Sequence, residues 1–231
     1  ATPKAQSVAG KGLRSMTSAP PDTPTSGDGL PQNALDRADE SPDDLFYRTP
    51  RMVVHIDQAT IEAITAYYAE QLFPGSDVLD LMSSWVSHLP ESVSFGRVAG
   101  LGMNAEELSA NSALTELTVQ DLNADPKLPY EDASFDFVVN AVSVQYLKRP
   151  FEVFNEISRV LKPGGRSIVA MSHRCFPTKA IRAFHVPGAT ERFRIVELYH
   201  QQTGRFSRID TLDRSPIGAD PLWLVVGQRD H

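Results

Sequence analysis

Short, almost unbroken apolar runs recur along the chain between stretches of helical spacing. They are Asp77-Val-Leu-Asp-Leu-Met82, Arg97-Val-Ala-Gly-Leu101, Phe135 to Val144 and Arg166 to Met171, with a further strand, alternating in character, at Leu117-Thr-Val-Gln-Asp121. A strand with one wet face alternates apolar and polar residues. An unbroken apolar strand needs cover on both faces, which means a parallel sheet between two helical layers. The intervening segments supply those layers. Asp57 caps a helix in which Ile61, Ile64, Tyr68 and Leu72 share one face, and Pro74-Gly75 stops it. Asn104 and Glu107 form a capping-box-like pair opening a helix to about Leu114. A further helix runs from about Phe151 to Leu161 and ends at Pro163-Gly-Gly165. Between Ser83 and His88 there is room only for a short helix before Pro90. After a last helix from about Thr190 to Gln202, the runs Phe206–Leu212 and Leu222–Gln228 have no helix between them. They are expected to pair antiparallel at the sheet edge.

The first 45 residues read differently. They hold no aromatic residue and six prolines, and between Asp22 and Asp44 seven acidic residues stand against one basic residue, Arg37. Such a segment buries too little apolar surface to offset its chain entropy, so residues 1–45 are expected to be a disordered linker or partner-binding arm, with the folded domain spanning 46–231. The chain begins with Ala, and Lys4, Lys11 and Arg14 precede the first acidic residue among Ser, Thr, Ala and Pro. That bias is similar to the end of an organelle transit peptide. A net charge of -7 argues against a broad nucleic-acid face. With Cys175 as the only cysteine there is no intrachain disulfide and no cysteine-based zinc site, and no apolar run is long enough to span a membrane.

Two passages carry a family resemblance. Leu128-Pro-Tyr-Glu-Asp-Ala-Ser-Phe-Asp-Phe-Val-Val139, continuing to Gln145-Tyr-Leu147, and Phe151-Glu-Val-Phe-Asn-Glu-Ile-Ser-Arg-Val-Leu-Lys-Pro-Gly-Gly165 resemble the methyltransferase type 11 family of class I, S-adenosylmethionine-dependent methyltransferases. The resemblance covers roughly Asp77 to the C-terminus. It implies a Rossmann-like, seven-stranded, mostly parallel sheet with an antiparallel C-terminal strand and helices on both faces. Val78-Leu-Asp-Leu-Met-Ser-Ser-Trp-Val-Ser-His-Leu-Pro90 and Gly100-Leu-Gly-Met-Asn-Ala-Glu-Glu-Leu108 look like a cyanobacterial and plastid branch of undefined role. Chloroplast stroma is therefore the expected location, or the cytoplasm if the source is a cyanobacterium.

The resemblance also places the cofactor, S-adenosylmethionine, at the C-terminal ends of the central strands. Asp80 is expected at its cationic amino group, the hydroxyls of Ser83, Ser84 and Ser87 nearby, Asp121 and the Leu122 backbone at the adenine, and Asn140 to Gln145 beneath the reacting methyl. This sequence departs from the family pattern twice. Met82, Ser84 and Val86 stand at the usual glycine positions, and Gly102 stands where an acidic residue usually accepts from the ribose hydroxyls, leaving Asn104 or Glu106 to reach it. Losing that charged hydrogen bond costs on the order of 1.5–3 kcal/mol. His173, His55 and His88 are the candidate bases for a hydroxyl or acidic-carbon acceptor. Cys175 reads as a packed thiol, and Trp85 as either a stacking surface or a filler of the volume left by a short helix. The leading reading is methyl transfer to a small molecule. The alternative is a non-catalytic, methyltransferase-like binding or assembly subunit of an organellar complex, with a Rossmann oxidoreductase disfavoured because no Gly-x-Gly-x-x-Gly follows the first strand.

Overall fold

The computed structural model describes residues 29–186 and 188–231. Seven strands form one sheet: β1 (Asp77–Leu81), β2 (Arg97–Gly102), β3 (Glu116–Val119), β4 (Phe135–Ala141), β5 (Leu161–Met171), β6 (Phe206–Asp213) and β7 (Trp223–Arg229). Their order is β3-β2-β1-β4-β5-β7-β6. The first five run parallel, and β7 enters antiparallel between β5 and β6. The order reverses between β1 and β4, so the crevice for a ligand opens at their C-terminal ends.

Both faces of the central strands are covered, as their apolar sequences require, whereas the edge strand β3 leaves Leu117 and Val119 exposed. On one face, helix α2 (Gln58–Gln71) packs Ile64, Tyr67, Tyr68 and Leu72 against Val78, Phe137, Val139, Ile168 and Ala170. On the other, α4 (Pro150–Val160) and α5 (Ala189–Gln202) pack Val153, Phe154, Ile157, Val196 and Tyr199 against Leu79, Leu81, Val138, Val169 and Met171. Successive strand residues thus feed opposite layers. His200 sits wholly inside this second layer. It contacts the Val196 carbonyl through Nδ1 at 2.9 Å and the Ser167 hydroxyl through Nε2 at 3.1 Å. Burial pushes its pKa down to about 4, so it is a neutral core residue. The close approach of that imidazole is why β7 carries Gly227, where a Cβ would lie 2.4 Å from the ring.

The caps expected at Asp57 and Asn104 form, but the Glu107 carboxylate accepts from the Arg51 N–H and the Ser84 hydroxyl instead of closing a capping box. Asp57 accepts from the Thr60 N–H at 2.9 Å, and Asn104 accepts from the Glu106 and Glu107 N–H groups at 3.0 and 3.1 Å. Three expectations change. The helix after Asn104, α3 (Ala105–Ala110), stops short of Leu114, because Asn111 leaves it to donate to the Ser84 carbonyl and the Ser87 hydroxyl. No helix forms over Ser83–His88: Met82 and His88 take left-handed backbone (φ 60° and 56°) and the segment is an irregular loop. The folded domain also begins before residue 46. Leu30 and Ala34 are buried in the main core, and α1 (Asp43–Tyr47) is docked by Arg37, whose Nη1 donates to both carboxylate oxygens of Asp43 at 2.7 and 2.9 Å. Average composition concealed this, since a few apolar anchors and one buried ion network tie down an otherwise polar segment. The portion of the expected disordered arm before residue 29 lies outside the described residues.

Candidate functional site

A cleft of about 270 Å³ opens over the C-terminal ends of β1, β2 and β4. Its inner side is made by strand ends and the turns after them: Asp80, Leu101, Gly102, Asp121, Leu122, Ala141, Val142 and Ser143. Its outer side is a strap, residues 46–57, that crosses from α1 to α2.

Asp80 is 3% exposed and lies on the α2 face of β1. Its Oδ2 accepts from the Ser83 hydroxyl at 2.5 Å. Burial pushes its pKa up to about 6, with the Ser83 and Ser87 hydroxyls pulling the other way. An inward carboxyl supported only by hydroxyls suits a cationic ligand group. Nearby, the buried Ser143 Oγ has no hydrogen-bond partner, so the cleft floor also holds an unused polar atom. Val142, beside it, takes φ 51°, which a β-branched residue adopts at a cost of roughly 1–3 kcal/mol. Asn140 sits beneath the floor rather than in it: its Nδ2 donates to the Leu81 carbonyl at 3.0 Å and ties β4 to the end of β1. At the far end, the half-buried Asp121 accepts from the Asn123 N–H at 2.8 Å with Oδ1, beside the buried Leu122.

The replaced glycines have other duties. Met82 keeps the left-handed backbone a glycine would supply, and its side chain packs on the main core. Ser84 donates to Glu107 Oε2 at 2.6 Å, while Glu107 Oε1 accepts from the Arg51 N–H at 2.7 Å. The Trp85 indole donates to the Val53 carbonyl at 2.9 Å. Asn104 donates to the Tyr47 and Arg48 carbonyls with the same amide that caps α3. Ser84 and Asn104, expected at the cofactor, are thus occupied in holding the strap and α3. Glu106 is exposed and does not line the cleft. At Gly102 a Cβ would fall 2.2 Å from the Ser83 carbonyl, so the loop after β1 fills the place of the usual ribose acid. The residues therefore fit the two ends of the cofactor and lack the usual acceptor for its ribose.

Two of the three candidate histidines share the cleft. His55, on the strap, stacks edge-on against Phe176 at 5.2 Å. His88 closes the loop after β1, with a buried Nδ1 that has no partner. Burial lowers both pKa values, with Arg51 adding to this for His55 and His55 for His88, so both rings are neutral at pH 7. His173 does not line the cleft: its Nε2 lies 3.1 Å from Asp220 Oδ1, and Arg174 shares that carboxylate. His173 thus lies outside the cleft, because strand-end position alone did not fix its direction. Cys175 is exposed on the rim rather than packed. Ser143 falls within the expected floor, Asn140 to Gln145. Sequence reasoning missed the tie from Glu107 to the strap and the ion network beneath it, because both join residues far apart in the chain.

The strand order, the antiparallel β7 and a cleft at the reversal point define a class I methyltransferase fold. Residues 83–169 match the family model described as a methyltransferase domain. Demethylmenaquinone methyltransferase of Bacillus cereus is 34% identical over 104 residues, which cover 41% of this chain and 44% of that one. The chain thus spans less than half the length of the curated relatives it matches. Phosphoethanolamine N-methyltransferase 2 of Haemonchus contortus, solved with S-adenosyl-L-methionine, shares the fold at TM-score 0.56 and 14% identity over 75% of this chain and 53% of that one. The [4+2]-cyclase SpnF also shares it, at TM-score 0.54 and 16% identity over 75% and 82%. The fold alone therefore does not specify methyl transfer.

Proposed function

We propose that this cleft binds S-adenosylmethionine and supports methyl transfer to a small molecule. The observation that carries the reading is Asp80, a buried carboxyl at the end of β1 facing the cleft with only hydroxyls for company. The cofactor, when bound, supplies an activated methyl on a cationic sulfur. Asp80 and Ser83 hold its amino end, Asp121 and the Leu122 backbone its adenine, and Ser143 offers a hydroxyl between them. An acceptor hydroxyl or acidic carbon loses a proton in such a reaction, and the neutral imidazoles of His55 and His88 are placed to take it. The relatives named for demethylmenaquinone support a small-molecule acceptor. The plastid location implied by the resemblance over Val78–Pro90 and Gly100–Leu108, with the organellar bias of the N-terminal composition, belongs to the same proposal.

One observation favours the second reading, a non-catalytic binding subunit: Ser84, Trp85 and Asn104 serve the strap, and the ribose acid is replaced by packed backbone. A melting curve separates the two. A ligand at a hundred times its dissociation constant stabilises the native state by about 2.7 kcal/mol, or roughly 5–11 °C for a domain of this size. We expect such a rise with excess S-adenosylmethionine or S-adenosylhomocysteine, and a smaller one for Asp121→Ala. No rise at millimolar cofactor would leave the binding-subunit reading in its place.

A further inference from the structure

We infer that the strap side of the cleft is an acceptor subsite for an uncharged, largely apolar small molecule; the word acceptor rests on the methyl-transfer reading above. The wall is built by Val53 and Val54 of the strap, Trp85 and Val86 of the loop after β1, and Phe176 beyond β5. Val53 and Val54 are 54% and 50% exposed, yet both line the cleft. Adjacent exposed valines beside a tryptophan in a concave site mark a surface kept apolar for a ligand. The Trp85 N–H is already given to the Val53 carbonyl, so its ring offers the cleft only an aromatic surface.

Charge narrows the occupant further. The lining includes two arginines, Arg51 and Arg174, and four carboxylates, Asp43, Asp80, Glu107 and Asp121. Arg51 donates to the Phe46 carbonyl and packs over the Phe46 and Phe176 rings, and Arg174 is bound to Asp220. Asp43, Glu107 and Asp121 are likewise engaged, with Arg37, with the Arg51 N–H and Ser84, and with the Asn123 N–H. Arg174 is already paired with a carboxylate, Arg51 is turned onto the Phe46 carbonyl and the aromatic rings, and the four carboxylates of the lining disfavour a phosphate or carboxylate. A cationic acceptor would compete with the cofactor for Asp80. A neutral molecule with one hydroxyl fits what remains: an apolar wall, with His55 at its edge as a hydrogen-bond acceptor.

The test uses three probes of one shape, 2-naphthol, 2-naphthoate and 2-naphthylmethylammonium, titrated into the full chain by ligand-observed NMR. We expect 2-naphthol to bind at least about tenfold more tightly than either charged analogue, because an unpaired charge on an apolar wall costs more than the ~1.4 kcal/mol a factor of ten represents. Val54→Asp should weaken 2-naphthol by a similar factor while leaving the melting temperature and S-adenosylhomocysteine affinity unchanged, and the uncharged Val54→Thr should cost far less. Equal or tighter binding of a charged analogue overturns the inference, as does full affinity in Val54→Asp. Selective 2-naphthol binding without any S-adenosylhomocysteine binding would support the apolar subsite and defeat the methyl-transfer reading.

Discussion

Replacing Asp80 with Asn should stabilise the unliganded protein by about 2–3 kcal/mol at pH 7 and weaken S-adenosylmethionine binding by roughly ten- to a hundredfold. The stability part follows from the carboxyl's environment. Burial raises its pKa from 3.8 to about 6. Each pKa unit is about 1.36 kcal/mol, so ionising Asp80 in the folded state at pH 7 costs on the order of 3 kcal/mol that the unfolded chain does not pay. The sign is that of a raised acid: the folded state holds its proton more tightly, so stability is greatest below the unfolded pKa and is lost as pH rises through the folded one. Asn cannot ionise, and its carbonyl can still accept from Ser83 and Ser87. The gap between variant and parent should therefore be small near pH 3.8, open up to pH 6 and stay flat above it. Urea midpoints measured across that range check this. A variant no more stable than its parent at pH 7 would show that the carboxylate is better compensated than its neighbours suggest. The binding part follows from losing one charge-assisted contact to the cofactor's amino end, worth about 1.5–3 kcal/mol. A gain in stability paired with a loss of binding is what a site held under strain for a cationic ligand produces.

How far the sequence carried is best seen residue by residue. The sheet was legible because a parallel strand buried on both faces has a plain signature: Phe137, Val138 and Val139 go to alternate layers and all are apolar. The terminal pair was legible because nothing helical separates β6 from β7. Asp57 and Asn104 were readable as caps, since a cap is a local event. The strap was not, because its partners lie far along the chain: Val53 meets Trp85, Arg51 meets Glu107, and Tyr47 meets Asn104. For the same reason Ser84 and Asn104 were read as ligand contacts. Family position said where they would be, while their direction was set by a segment whose composition resembled a linker. His173 failed likewise, its partner Asp220 arriving from the turn before β7.

Asp43→Ala is expected to produce the largest loss of stability, about 3–5 kcal/mol unless the strap lets go first. Asp43 and Arg37 have side chains only 5% and 2% exposed, and the Lys179 side chain is fully buried. Lys179 Nζ lies 3.2 Å from Asp43 and 3.3 Å from Asp39, and donates to the Ser41 carbonyl at 2.7 Å. Asn123 adds a further donor to Asp43 at 2.8 Å. Burial by itself would raise the Asp43 pKa, and Arg37, Asn123 and Lys179 together hold it below the ordinary range. Its contribution is therefore present above about pH 4 and lost as pH falls further. Removing this one carboxylate strands the buried Arg37 and leaves the buried Lys179 with only the partly exposed Asp39, which is far worse than removing the whole group. Lys179→Met in the Asp43→Ala background should then recover part of the loss, with the double variant costing at least about 1 kcal/mol less than the sum of the singles. The alternative to bearing the full penalty is local undocking of residues 29–57, which exposes Arg37 and Lys179 to water. Trypsin distinguishes the two: undocking opens Arg37, Arg48 and Arg51 to rapid cleavage while the strands stay protected. An Asp43→Ala variant with an unchanged melting temperature and no new cleavage would show that the network does not dock the strap. Undocking also removes Val53 and Val54 from the cleft wall, so the same variant should lose affinity for 2-naphthol without any change to the wall residues themselves.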